Sequence, residues 1–238
     1  MYKRNKRKLY ITAAAIFLVF AALIVNLCGA HPLFRITLVS KQLNRVVYNN
    51  NNNEDAIKLA KEYFITKNDI KKSFILFKHI LAKDPDNIDA YTGIATVYDR
   101  IKNYKKAYEY IKEAEKRINA ETKPETLVDF YYTAGLIYKN SAIYEGEKVL
   151  GKAEEYFNKA LDVCGLNDIW KNYYNAKTYL YLGIIYSEWD KRQKGLEYFI
   201  KSYEANPEDK SIYFTIALTY LEMKDFQHAY EYILKMKE

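Results

Sequence analysis

The sequence predicts an all-α protein: an N-terminal transmembrane helix followed by an α-solenoid of about five helical hairpins. Three observations predict it. Large, small and aromatic marks recur through the last three-quarters of the chain at a period of about 34 residues, the spacing of stacked helical hairpins. A charge-free apolar run lies near the N-terminus, long enough to cross a bilayer. Only eight Gly and four Pro occur in 238 residues, which suits long helices and disfavours a turn-rich β protein. Half of the residues are hydrophobic and 25 are Tyr, so a sizeable core is easily supplied.

Residues 1–8 form a basic flank with Lys3, Arg4, Lys6, Arg7 and Lys8. Residues 9–30, from Leu9 to Ala30, carry no charge, and about 20 apolar residues suffice to span a membrane. The positive-inside rule keeps the basic flank in the cytoplasm and sends the remainder across. The expectation is a single-pass signal-anchor with an extracytoplasmic repeat domain. Arg35, Lys41 and Arg45 lie on the far side, so the charge bias is modest. A cleaved signal peptide ending at Cys28-Gly29-Ala30 is the competing reading, but its apolar core would run only about 7–15 residues. Residues 31–53 form a juxtamembrane connector. Leu33, Ile36, Leu38, Val39, Leu43, Val46 and Val47 are expected to form a short amphipathic helix, with Lys41 and Arg45 facing water, before the hinge-like run Asn49–Asn53.

The net charge of +7 would suggest a nucleic-acid partner until it is located. Eight basic side chains and no acid lie within 1–53, which leaves 29 basic against 30 acidic over 54–238. A nearly neutral repeat region offers no phosphate-binding surface.

The repeat domain covers 54–238, with units near 54–87, 88–121, 128–167, 176–209 and 210–238. Tyr91, Ile94, Ala95, Tyr98, Ala107, Ile111 and Ala114 have the same internal spacing as Tyr213, Ile216, Ala217, Tyr220, Ala229, Ile233 and Met236. Upstream the set recurs as Ile57, Ala60, Lys61, Phe64, Ser73, Phe77 and Ile80, and downstream as Tyr179, Leu182, Gly183, Tyr186, Gly195 and Phe199. The third unit departs. Tyr131, Ala134, Gly135 and Tyr138 mark its first helix, but Ala153, Phe157 and Ala160 come six residues late. Residues 122–127 are expected to lengthen the preceding connection, and the extra six to form a loop around Asn140–Lys148, since insertions in repeat arrays map to loops. The first helix of the fourth unit should begin early, near Asp168.

These residues resemble the tetratricopeptide repeat family over about 185 residues, with Tyr or Ile at the family's first Trp. The resemblance implies a right-handed superhelix of antiparallel hairpins whose first helices line a groove that binds proteins or peptides. It also implies that the periodic Tyr91, Tyr98, Tyr138, Tyr186 and Tyr220 are packing residues. Carried onto this chain, the family's inward positions run from Asp55, Lys58 and Glu62 through Asp89, Thr92, Thr96 and Asp99 to Asp129 and Lys139, then Lys177, Ser187 and Ser211. Among them stand seven apolar ones: Tyr132, Leu136, Leu180, Ile184, Phe214, Leu218 and Leu221. Contiguous apolar surface signals an interaction site, so these seven are the candidate protein-binding groove; burial against neighbouring repeats is the alternative. A carboxylate clamp of the chaperone-tail type is not expected, because Glu62 and Gly93 replace required side chains.

No Gly-rich phosphate loop, H-E-x-x-H or nucleophile elbow occurs. His31, His79 and His228 are scattered, and Cys28 and Cys164 form no pair. The reading is non-enzymatic, with no catalytic, cofactor or metal site: a membrane-anchored scaffold or adaptor for protein or peptide partners. The alternatives are a cytosol-facing docking or import-type receptor, and an accessory subunit of an envelope enzyme complex. A homodimer through the C-terminal repeat is a further expectation, because arrays normally need a polar cap on the last hairpin.

Overall fold

The computed structural model describes residues 53–165 and 168–236. The basic flank, the anchor at 9–30 and nearly all of the connector lie outside these. Among the described residues there are ten α-helices and no strand: α1 (Asn53–Ile65), α2 (Ile70–Lys83), α3 (Ile88–Arg100), α4 (Tyr104–Glu115), α5 (Pro124–Glu145), α6 (Leu150–Cys164), α7 (Asp168–Glu188), α8 (Arg192–Ala205), α9 (Ser211–Glu222) and α10 (Phe226–Lys235). None of them is long and apolar enough to cross a membrane. The chain divides into two compact units, one ending at Leu76 and one running from Phe77.

The first unit holds α1 and the opening of α2. Ala56 and Ala60, four apart on one stripe of α1, are its buried face. Asn68 takes a left-handed φ of 49°, and Asp69 then caps α2 by accepting from the Lys72 amide at 3.0 Å.

That turn recurs in the second unit. Lys102, Asp190 and Lys224 also take positive φ, and the amide after each donates to a tyrosine carbonyl five residues earlier: Asn103 to Tyr98, Lys191 to Tyr186, Asp225 to Tyr220. This six-to-one bond is the Schellman ending, which satisfies carbonyls that a helix end leaves orphaned. Asn103 and Asp225 then cap α4 and α10 through their side chains. Lys191 begins α8 without a side-chain cap.

Each hairpin of the second unit crosses where its small residues meet. Ala95 and Ala107, and Ala217 and Ala229, are buried. At the same register Gly183 is irreplaceable by position: a Cβ there would lie 2.5 Å from the Phe199 ring and 3.0 Å from the Gly195 carbonyl. Just beyond the crossing, each hairpin is pinned by a stacked tyrosine pair. Tyr98–Tyr110, Tyr138–Tyr156, Tyr186–Tyr198 and Tyr220–Tyr232 have ring centroids 5.5, 5.5, 5.3 and 5.7 Å apart. The first member of each pair was expected to pack and does. The second member, from the second helix, was not singled out by the sequence.

The third hairpin corrects two expectations. Residues 124–127 are not connection but the first turn of α5, opened by Pro124, whose fixed φ and missing N–H suit that position. The extra residues after Asn140 are not a loop. They continue α5 to Glu145, and a 3₁₀ turn at Glu147–Val149 follows Gly146, whose φ is 80°. Ala142 and Glu145 are good helix formers, and continuing the helix adds one hydrogen bond per residue, which an irregular loop would forgo. The early start of the fourth unit is found: α7 begins at Asp168.

Candidate functional site: a cleft between first helices

Successive first helices pack directly in the middle of the second unit, α3 on α5 and α5 on α7, whereas α9 packs on α8 and not comparably on α7. The sequence explains the break. Counted from their equivalent tyrosines, α7 starts eleven residues before Tyr179, but α9 starts two before Tyr213. The first turns of α7 therefore extend past the start of α9. A cavity of about 130 Å³ opens there, lined by Tyr173, Ala176, Lys177 and Leu180 from α7, Ser202 from α8, Asn206 and Asp209 from the connection, and Ser211, Ile212 and Thr215 from α9. Its size is comparable to the roughly 150 Å³ cavities that admit a benzene ring.

The lining is half committed already. Ser202 Oγ donates to the Ala176 carbonyl at 2.7 Å, fixing α8 against α7. Asp209 Oδ1 accepts from the Ser211 amide and hydroxyl at 3.1 and 2.5 Å, which shapes the rim. Lys177 Nζ donates to Tyr173 Oη at 2.6 Å and sits 4.0 Å over that ring. One cation, one carboxylate and several hydroxyls around Leu180 and Ile212 suit recognition of a side chain and its backbone. The residues contain no nucleophile–base pair. Among the described residues no cluster of His, Cys, Asp or Glu is arranged for a metal.

The seven candidate groove residues fall into two groups. Tyr132 and Leu136 are half-buried against the cluster of Leu150, Phe157, Leu182 and Ile185; the Tyr132 ring meets Tyr174 at 5.4 Å and Tyr181 at 6.2 Å. Burial holds the Tyr132 hydroxyl pKa well above the usual phenol range. Leu180 and Ile184 are half-buried against Leu196, Phe199, Ile212 and Ile216. These four are packed between hairpins, and only Leu180 also lines the cleft. Phe214, Leu218 and Leu221 are exposed. They occupy the equivalent positions of α9, where no further described hairpin covers them.

Three inward carboxylates of the second unit are likewise spent between hairpins. Asp89 accepts from Thr126 at 3.1 Å, Asp129 from Tyr174 at 3.1 Å, and both Asp99 oxygens from the Asn140 amide at 3.2 and 3.1 Å. Burial raises the Asp99 pKa above the ordinary carboxylate value, against the opposing pull of Asn140, Arg100 and Lys139. Sequence spacing placed Lys177, Leu180 and Ser211 on the inner face. It gave no sign of Asn206, Asp209 or Thr215, whose relevance depends on where α9 begins.

Residues 88–120 and 211–236, the hairpins α3–α4 and α9–α10, match the tetratricopeptide repeat model. Over these two hairpins the chain is similar to the tetratricopeptide repeat family. Solved structures extend the likeness to the array. MamA is 21% identical, with 74% of this chain and 90% of that one covered and a TM-score of 0.54. For pilF of Pseudomonas aeruginosa the values are 19%, 76%, 72% and 0.59. YrrB, described as a TPR protein with an unusual peptide-binding site, gives 18%, 81%, 89% and 0.52. At these identities the likeness is one of fold. No curated protein matches the chain.

Proposed function

We propose that this protein is a non-enzymatic, membrane-anchored scaffold whose repeat domain captures a segment of a protein partner in the cleft between α7 and α9. The observation that carries the reading is the cleft itself, apolar at Leu180 and Ile212 and rimmed by Lys177, Asp209 and Thr215. An extended segment would seat one apolar or aromatic side chain there and meet the rim with its backbone. The repeat fold shared with a peptide-binding protein such as YrrB supports it. The tether is the run 9–30, and the charge-free span behind five basic residues favours repeats on the extracytoplasmic side. A second copy of the chain, through the last hairpin, is the other partner we propose.

A photo-crosslinking residue at Thr215 should trap a discrete partner in intact cells, and Lys177→Glu should abolish that adduct while leaving helix content unchanged. Equal trapping from Glu197, on α8 away from the cleft, would remove the reading. Protease digestion of a C-terminal tag in cells with opened outer layers tests the sidedness; protection would reverse it and favour a cytosolic docking receptor.

A further inference from the structure

The outer face of the last hairpin is apolar where its own register says it should be covered. In hairpin α3–α4, Tyr104 packs on Tyr144 of α5 with ring centroids 5.6 Å apart, and Tyr108 stacks on Tyr138 of α5 at 4.8 Å and donates to Ser141. Ile111 and Thr92 of the same hairpin are buried. The equivalent positions of α9–α10, 122 residues on by the spacing of Tyr91 and Tyr213, are Phe226, Tyr230, Ile233 and Phe214. All four remain apolar or aromatic. All four are exposed, Phe226 by 68%, Tyr230 by 62% and Phe214 by 54%. Helix α10 thus has two apolar stripes. Ala229 and Tyr232 face its own hairpin, while Phe226, Tyr230, Ile233 and Leu234 face away.

We propose that this face is a docking surface for a second copy of the chain, which places its own α10 antiparallel across it with the two-fold axis at Tyr230. The inference rests on the protein-binding reading above and gives its homodimer a surface and a register. Three observations choose this occupant. The face continues an interface the molecule already makes, hairpin on hairpin through aromatic positions. Its side chains Phe214, Phe226, Tyr230, Ile233 and Leu234 are between 38% and 68% exposed, apolar surface of the kind that marks an interaction site. An antiparallel pairing about Tyr230 is also self-complementary, as a two-fold contact must be. It sets Phe226 opposite Leu234 of the second copy. Opposed helix dipoles favour the same direction.

The test uses the full chain in detergent with Cys28→Ala and Cys164→Ala. Sedimentation should show a concentration-dependent dimer. Tyr230→Cys, lying on the axis, should then form a disulfide-linked dimer under mild oxidation, and Glu197→Cys should not. Tyr230→Glu should weaken self-association by about thirtyfold or more, the loss expected of a central aromatic anchor, with unchanged circular dichroism because the side chain is exposed. A monomeric mass at every concentration would remove the homodimer altogether. A dimer that fails to cross-link through residue 230, or that survives Tyr230→Glu, would keep the homodimer and overturn this surface. Phe226→Glu provides a second variant should Tyr230→Glu misfold. Loss of the Thr215 adduct in any of these variants would report damage to the array rather than to the interface.

Discussion

Hairpins α3–α4 and α9–α10 carry the same marks at the same spacing, end their first helices with the same left-handed turn, and cap their second helices with Asn103 and Asp225. Their interiors agree: Ala95 and Ala107 are as buried as Ala217 and Ala229. Their outer faces do not. Ile111 is fully buried between α3, α4 and the next hairpin, whereas its equivalent Ile233 is exposed. Identical local sequence logic gives an identical hairpin, and the neighbour alone decides whether its back is core or surface. The same contrast explains the candidate groove. Tyr132, Leu136, Leu180 and Ile184 have a following hairpin, and Phe214, Leu218 and Leu221 have none among the described residues.

Truncating the two equivalent isoleucines should separate the hairpins most clearly. Ile111→Ala should cost about 3 kcal/mol, as a fully buried side chain leaving a cavity does, and Ile233→Ala about 1 kcal/mol or less at concentrations where the chain is monomeric. Urea denaturation of both variants measures it, and equal costs would mean that the outer face of α9–α10 is covered. Glycine sharpens the point at helix crossings. Gly183→Ala should lose about 1–3 kcal/mol because its Cβ meets Phe199 and the Gly195 carbonyl. Gly151→Ala, on α6 with nothing within 4 Å, should gain about 0.5–1 kcal/mol from helix propensity. Thermal melts should move in opposite directions.

A smaller effect concerns the turns. Lys191→Asn gives α8 the side-chain cap that α4 and α10 already have and should stabilise by about 0.5 kcal/mol, less than a full cap because Lys191 now lies 5.1 Å over the Trp189 ring. The smallest effect is electrostatic. Burial raises the folded-state pKa of Asp99, so the folded chain holds that proton to higher pH than the unfolded chain. The associated stability is present at acid pH and lost as pH rises through the raised value. Asp99→Asn removes that loss, so the variant should melt higher than the parent at pH 7, with the gain fading below about pH 4. A gain that persists unchanged into acid would show that Asp99 ionisation is not its source.

The hairpins are written in the local sequence. Period, small-residue marks and the prolines and asparagines that punctuate them are local signals, each satisfied within one turn or one helix pair, so they survive being read one residue at a time. The early start of α7 at Asp168 was legible for that reason, from Ile169, Trp170, Tyr173 and Tyr174 ahead of the usual mark. The six extra residues of the third unit were legible as a length but not as a structure, because helix and loop occupy the same number of residues and only hydrogen bonding distinguishes them. Tertiary structure decided the rest. Whether Leu180 is groove or core depends on Ile212 and Ile216, more than thirty residues away, and the cleft exists because α9 begins late against a long α7. The stacked partners Tyr110, Tyr156, Tyr198 and Tyr232 show the same limit from the other side. Nothing local marks them out among 25 tyrosines; they matter because folding brings each within 6 Å of a ring on the paired helix. Sequence spacing sets which face of a helix a side chain occupies, and burial is a property of whatever packs against that face.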